Sequence, residues 1–177
     1  MKISIIGYSG SGKSTLAAAL GELYGLPVLH LDTVQFLPGW KDRPKEERRA
    51  IVEAFLNENE ERGWVIDGTY SSLLPERRFA GADRIIFLNF SRFTCLFRVW
   101  RRYRTYRGKV RTSAAEGCQE KLDREFVMWV LRDGRTRERR QKYFEILASC
   151  PGVTRILKSQ RAINAYLAEC RREVEGG

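Results

Sequence analysis

No apolar run in this chain of 177 residues approaches the roughly twenty needed to cross a bilayer. Low-complexity tracts and internal repeats are missing too, which excludes solenoids, linker-like chains and collagen-like assemblies. Histidine occurs once, as His30, and the four cysteines (Cys95, Cys118, Cys150 and Cys170) lie far apart with no C-x-x-C pair. That spacing argues against a thiolate metal site and for reduced thiols, the default of a cytoplasmic protein. The opening residues lead straight into a strand pattern, so no signal peptide is expected. An apolar fraction of 43% is that of a globular chain, and the length suits one domain with a full core, spanning 1–177.

Acidic balance is missing from only one part of the chain. The net charge is +10, and residues 92–142 hold 16 Lys/Arg against 6 Asp/Glu, leaving 16 of each elsewhere. All of the excess sits in that segment. A segment of this kind clamps polyphosphate or lies along nucleic acid.

What is present at the amino end is more specific. Gly7-Tyr8-Ser9-Gly10-Ser11-Gly12-Lys13-Ser14-Thr15 fits G-x-x-x-x-G-K-[ST] without a mismatch. The β-branched run Lys2–Ile6 precedes it as a strand, and Ser14–Leu23, apolar at helical spacing, follows as a helix. Glycines let the loop turn its N–H groups inward, the helix N-terminus adds partial positive charge, and Lys13 adds a full one. The pattern predicts a nest for the β- and γ-phosphates of a nucleoside triphosphate such as ATP, with the Ser14 hydroxyl as a Mg²⁺ ligand.

Further along, strands are expected at Pro27–Asp32, Trp64–Gly68, Arg84–Phe90 and Val153–Leu157, the second turning in from Gly63 and the last from Pro151-Gly152. Helices are expected from Pro44 to about Arg62, from Ser91 to Arg107, near Gln119–Leu131, at Arg135–Ala148 and at Arg161–Cys170, with a shorter one within Ser71–Ala80. Phe36–Trp40 reads as a loop, Gly108–Gly117 as a small-residue flap, and Gly176-Gly177 as a loose tail. Phe93, Leu96, Phe97, Trp100 and Tyr103 recur at three and four, and Trp100, Tyr103 and Tyr106 are read as core packing. Alternating strands and helices imply an α/β fold with a mostly parallel sheet covered on both faces. Ligands of such sheets sit at the carboxyl ends of the strands, where the loop glycines, Asp32 and Asp67 converge.

Asp67 ends the third strand and is expected to organise Mg²⁺ together with Ser14. Asp32 has three readings: orienting metal-bound water, accepting a proton from an acceptor hydroxyl, or bonding the following loop. Arg98, Arg101 and Arg102 on one helix, and Arg132, Arg135 and Arg137 around Asp133-Gly134, form two clusters able to stabilise a transferring phosphoryl group. His30 reads as a strand residue at the site edge.

The loop Gly7–Thr15, His30-Leu31-Asp32-Thr33, Pro38-Gly39-Trp40, Val65-Ile66-Asp67-Gly68 and the arginine helix after the fourth strand together resemble the bacterial topology modulation protein family, over almost the whole chain. That family, named for an effect on DNA topology, is similar to adenylate kinase and its small P-loop relatives. The resemblance implies a three-layer α/β/α P-loop NTPase fold, a five-stranded parallel sheet in the order 2-3-1-4-5, and a helical lid, here 92–142. It maps Lys13 and Ser14 onto phosphate and magnesium positions, and Arg98 and Arg102 onto an arginine pair at the lid's start. The chain departs from adenylate kinase after Asp67-Gly68, where Thr69-Tyr70-Ser71 stands in place of a monophosphate-gripping arginine. It departs from shikimate- and gluconate-type kinases at Val34, where a second aspartate belongs.

The expectation is a Mg²⁺-dependent kinase using ATP, with Gly7, Ser9, Gly10, Ser11, Gly12, Lys13, Ser14 and Thr15 binding phosphate. Lys13, Arg98, Arg102, Arg135, Arg137 and Asp32 are the candidate catalytic groups. The acceptor would be a small molecule, a nucleotide or nucleoside, faced by Arg77, Arg78 and Asp32. The rival is a DNA-associated ATPase whose basic segment contacts nucleic acid; a third possibility is a nucleotide-binding protein without turnover.

Overall fold

The computed structural model describes residues 1–107, 115, 117–150 and 152–176. The expected flap at Gly108–Gly117 therefore lies outside the described residues except for Ala115 and Gly117, as do Pro151 of the expected turn and Gly177 of the expected tail.

Seven strands and seven α-helices occur among those residues, in the order β1 (Lys2–Gly7), α1 (Lys13–Tyr24), β2 (Val28–His30), α2 (Leu31–Gln35), β3 (Phe36–Leu37), β4 (Lys41–Asp42), α3 (Lys45–Glu58), β5 (Trp64–Asp67), β6 (Arg84–Leu88), α4 (Arg92–Thr105), α5 (Arg124–Leu131), α6 (Arg137–Ser149), β7 (Val153–Leu157) and α7 (Gln160–Glu175). One π-turn, Glu76–Ala80, lies in the stretch expected to be helical, and a 3₁₀ turn, Asp133–Arg135, leads into α6.

Five strands form one sheet in the order β2-β5-β1-β6-β7, every pair parallel. Counting those five alone in chain order gives 2-3-1-4-5. Successive strand residues point to opposite faces, yet Ile3, Ser4, Ile5 and Ile6 are all fully buried. Both faces are therefore covered, as a parallel sheet requires. α1 packs on β5 and against α7, while α6 packs on β6 and the π-turn. Phe87 of β6 stacks on Tyr143 of α6 at 4.6 Å, and Tyr8 meets Tyr143 edge-on at 5.1 Å.

The expected second strand is shorter than its apolar pattern. β2 stops at His30, and Leu31–Gln35 turns into α2, where the Thr33 hydroxyl donates to the His30 carbonyl at 2.7 Å. The expected loop at Phe36–Trp40 is an antiparallel hairpin, β3 with β4, turned through Pro38-Gly39-Trp40. Trp40 packs on Phe36 and donates from its indole nitrogen to the Gln119 carbonyl at 2.7 Å, tying this hairpin to the segment before α5. α3 ends four residues before Arg62, and α5 starts five residues after Gln119.

α4 corrects the aromatic reading. Its buried residues are Cys95 and Val99, whereas Phe93 is 74%, Phe97 59%, Trp100 41% and Tyr106 37% exposed. Of the stripe spaced at three and four, Phe93, Phe97 and Trp100 are exposed, while Leu96 and Tyr103 are half-buried. The helix is instead turned by its smaller residues: a Cβ at Gly10 would stand 2.6 Å from the Cys95 carbonyl, so only a slim face fits against the loop.

Candidate active site

β1 ends at Gly7 and α1 begins at Lys13, so Tyr8–Gly12 must reverse the chain within five residues. Gly10 (φ 78°) and Gly12 (φ 98°) take left-handed conformations, where a Cβ is disfavoured. Ser11 donates its N–H to the Tyr8 carbonyl at 3.1 Å, closing the turn. The Lys13 ammonium folds back over it and donates to the same carbonyl at 3.2 Å. Desolvation pushes that ammonium below its ordinary lysine value, and the nearby carboxylates of Asp32 and Asp67 oppose the shift. Ser11 Oγ is buried in the loop without a hydrogen-bond partner. Ser9 is half-buried, and Thr15 lies exposed on α1.

Asp67 lies beside this loop because β5 is hydrogen-bonded to β1, with Ile5 opposite Asp67. It is 4% exposed. One carboxylate oxygen accepts from the Ser14 hydroxyl at 2.8 Å, and the other meets His30 Nδ1 at 2.5 Å. The second contact follows from register, since His30 of β2 sits opposite Asp67 of β5. Reading His30 as an edge residue missed this role. The available signal was its place at the carboxyl end of a strand next to the one that ends in Asp67.

Asp32 sits on the first turn of α2 and not on a strand. It accepts a hydrogen bond from the Tyr70 hydroxyl at 2.8 Å. Burial, then the fields of Asp32, Asp67 and Asp42, hold the Tyr70 phenol well above its usual range. Thr69 accepts the Gly7 N–H at 3.3 Å, so the segment after β5 is fastened to the phosphate loop.

The arginines fall into distinct environments. Arg98 donates to the Ser11 carbonyl at 2.7 Å and to Gln160 at 2.7 Å, with its guanidinium 4.3 Å over the Phe90 ring. Arg135 lies 3.8 Å over the Tyr8 ring and donates to the carbonyls of Val130 and Phe90 at 2.9 and 3.0 Å. Both brace the loop from outside. Arg102 pairs with buried Glu120 at 2.8 Å, and Arg137 is exposed at the start of α6. Arg77 and Arg78 overturn the expectation that they face an acceptor. Arg77 bonds Asn57 and Glu60 at the surface, at 2.8 and 3.2 Å. Arg78 is fully buried and donates to the carbonyls of Gly68, Tyr70 and Leu73 at 2.8, 2.8 and 2.9 Å. Burial draws its pKa down to about 9, against the pull of Asp67.

Ser14 and Asp67 supply hard oxygen donors to a shared space at the loop's helix end, which fits Mg²⁺. The positive-φ loop, its orphaned Ser11 hydroxyl and the Lys13 ammonium fit a polyphosphate. Among the described residues, no three His, Cys, Asp or Glu side chains gather as a metal cluster, and no helix is long and apolar enough to cross a membrane.

A family model described as AAA domain matches residues 3–128. No curated protein matches the chain. Among solved structures, a shikimate kinase from Acinetobacter baumannii in complex with shikimate is similar at 20% identity and a TM-score of 0.59, covering 99% of this chain and 93% of its own. A deoxyadenosine kinase from M. mycoides with bound dATP is similar at 13% identity and a TM-score of 0.52, covering 99% and 98%. An uncharacterized protein from Eubacterium ventriosum is similar at 17% identity and a TM-score of 0.54, covering all of both chains. At these identities the likeness is one of fold.

Proposed function

The chain belongs to the AAA domain family, and from that premise we propose that it is a Mg²⁺-dependent P-loop kinase moving the γ-phosphoryl of ATP to a small acceptor, a nucleotide or nucleoside. The observation that carries this reading is the contact of the Ser14 hydroxyl with Asp67 beneath a positive-φ glycine loop capped by Lys13. That arrangement suits triphosphate and metal together, and kinase folds among its structural neighbours support it. Lys13 holds the β- and γ-oxygens, and the N–H groups of Ser9, Gly10, Gly12, Lys13 and Ser14 take the remaining phosphate charge. Ser14 and Asp67 hold Mg²⁺, which when bound neutralises charge on the transferring group. Arg98 and Arg135 fix the loop's shape; among the described residues of the basic segment, Arg137 is exposed at the start of α6, and Arg102 is held by Glu120. Asp32 stands on the acceptor side. The finer kinship, with topology modulation proteins, and a cytoplasmic location are part of the same proposal.

The test is release of ADP from Mg·ATP across nucleoside monophosphates, nucleosides and small hydroxylated metabolites. Stimulation by one acceptor supports the kinase reading.

A second reading, a nucleotide-dependent nucleic-acid-binding protein, is favoured by one observation. α4 exposes Phe93, Phe97 and Trp100, with the Arg104 guanidinium 5.0 Å over the Trp100 ring, and residues 92–107 hold six arginines and no carboxylate. Bases stack on such surfaces and phosphates pair with such charge. ADP release stimulated by DNA alone, with binding that falls steeply with salt, supports this reading over the kinase.

A further inference from the structure

We propose that the phosphoryl acceptor enters as an uncharged, hydroxyl-bearing molecule such as a nucleoside or polyol, and not as a monophosphate, with Asp32 taking the proton of the attacking hydroxyl. This inference rests on the kinase reading above and narrows its acceptor.

The acceptor half of the site lies beyond Asp67, between α2 and the segment after β5. A monophosphate brings about two negative charges at neutral pH, so its site needs guanidinium groups aimed inward. Among the described residues, Arg43, Arg48, Arg77 and Arg78 belong to the elements around this half, and each is engaged with protein acceptors. Arg43 donates from Nε to the Val34 carbonyl at 3.0 Å, and Arg48 donates to the Gln35 side chain at 2.6 Å, both bracing α2. Arg77 is turned to Asn57 and Glu60 on the outside. Arg78 lies beneath the Gly68–Leu73 segment and holds three of its carbonyls.

Negative charge is gathered there instead. Tyr70 donates to Asp32, and the fields of Asp32, Asp67 and Asp42 all reach its phenol. The carboxylates of Asp32 and Asp67 both act on the Lys13 ammonium. A phosphate dianion in this half meets carboxylates, whereas a hydroxyl finds a proton acceptor whose orientation Tyr70 fixes.

The step balances without any further reactant. The acceptor oxygen bonds to the γ-phosphorus and its proton passes to the Asp32 carboxylate. The bond from the γ-phosphorus to the β,γ-bridging oxygen breaks, and ADP leaves with that electron pair. Tyr70 is a positioning residue in this scheme: it acts through Asp32.

The experiment uses the full chain with Mg·ATP, with ADP release and phosphorus NMR of the product as readouts. Four nucleosides, a set of polyols and sugars, and the four matching nucleoside monophosphates are supplied at equal concentration. The expected result is a new phosphate monoester on an uncharged acceptor, formed at least about tenfold faster than any product from a monophosphate. Asp32→Asn should lower that rate by about 10²–10⁴-fold, the range of general-base catalysis, while ATP binding by calorimetry is retained. Tyr70→Phe should lower it less and shift its pH profile. Equal or faster turnover of a monophosphate overturns the inference, as does full activity of Asp32→Asn. Failure of every uncharged acceptor in a chain that binds Mg·ATP overturns it too. Loss of ATP binding by the unaltered chain overturns the kinase reading itself, so the two failures are distinct.

Discussion

His30 Nδ1 lies 2.5 Å from one Asp67 oxygen while Ser14 bonds the other at 2.8 Å, so the end of β2 and the first turn of α1 are joined through one carboxylate. Partners behind a metal-binding carboxylate orient it, and their loss typically weakens metal affinity or activity by about 10–100-fold.

His30→Phe should therefore weaken Mg²⁺ binding to the ATP-loaded protein by about 10–100-fold. His30→Asn, which keeps an N–H donor near the Nδ1 position, should recover most of it. Calorimetric Mg²⁺ titrations at fixed ATP check this. An unchanged Mg²⁺ affinity in the phenylalanine variant would show that Asp67 needs no such support.

Lys13 links the site to stability. Burial lowers its pKa below 10.5, so the unfolded chain binds more protons between the folded value and 10.5. Ligand-free stability then rises with pH across that window, and below it the desolvated charge is a constant cost. Lys13→Met removes that cost. The variant should melt higher at pH 7 by about 2–4 °C for each kcal/mol relieved, while losing ATP binding. A lower melting temperature measured by calorimetry would contradict the desolvation argument.

Arg78 and Arg77 are adjacent in sequence and opposite in consequence. Arg78→Ala removes the side-chain donor of the Gly68 and Leu73 carbonyls, while the Tyr70 carbonyl keeps the Leu73 N–H; at about 1–3 kcal/mol for each carbonyl left unpaired, a loss on the order of 2 kcal/mol or more is expected. Arg77→Ala breaks surface contacts and should cost about 1 kcal/mol or less. Denaturant melts of both variants decide it, and similar losses would refute the burial contrast.

Phe97→Ser should change stability by about 0.5 kcal/mol or less, because its ring is mostly exposed, and Trp100→Ser by about 1 kcal/mol or less, since its ring is partly covered and carries Arg104. Val99→Ala, at a fully buried position between them, should cost on the order of 2 kcal/mol. Denaturant melts that reverse this order would return the aromatic stripe to the core.

Much of this architecture could be read from residue patterns, and the exceptions have physical causes. The phosphate loop was legible because Gly10, Gly12 and Lys13 perform backbone and charge roles that few other residues can. The strands of the sheet centre were legible because burial on both faces yields continuous apolar runs such as Ile85–Leu88. The side chosen by α4 was not. Periodicity finds an apolar stripe, but which stripe faces inward depends on the narrow space beside Gly10, which only Cys95 and Val99 fit. The turn of the chain into α2 at Leu31 was hidden by an apolar run that continues across it. Arg78 could not be told from Arg77, because its burial is set by the carbonyls of a loop and not by its neighbours in sequence. His30 needed the strand register, which no local pattern contains.

The most direct measurement is calorimetric titration of Mg·ATP into the unaltered chain and into Lys13→Met. Binding at one site by the former and none by a folded Lys13→Met is the expected result. No binding by the former, or equal binding by both, would contradict a phosphate-binding loop at Gly7–Thr15.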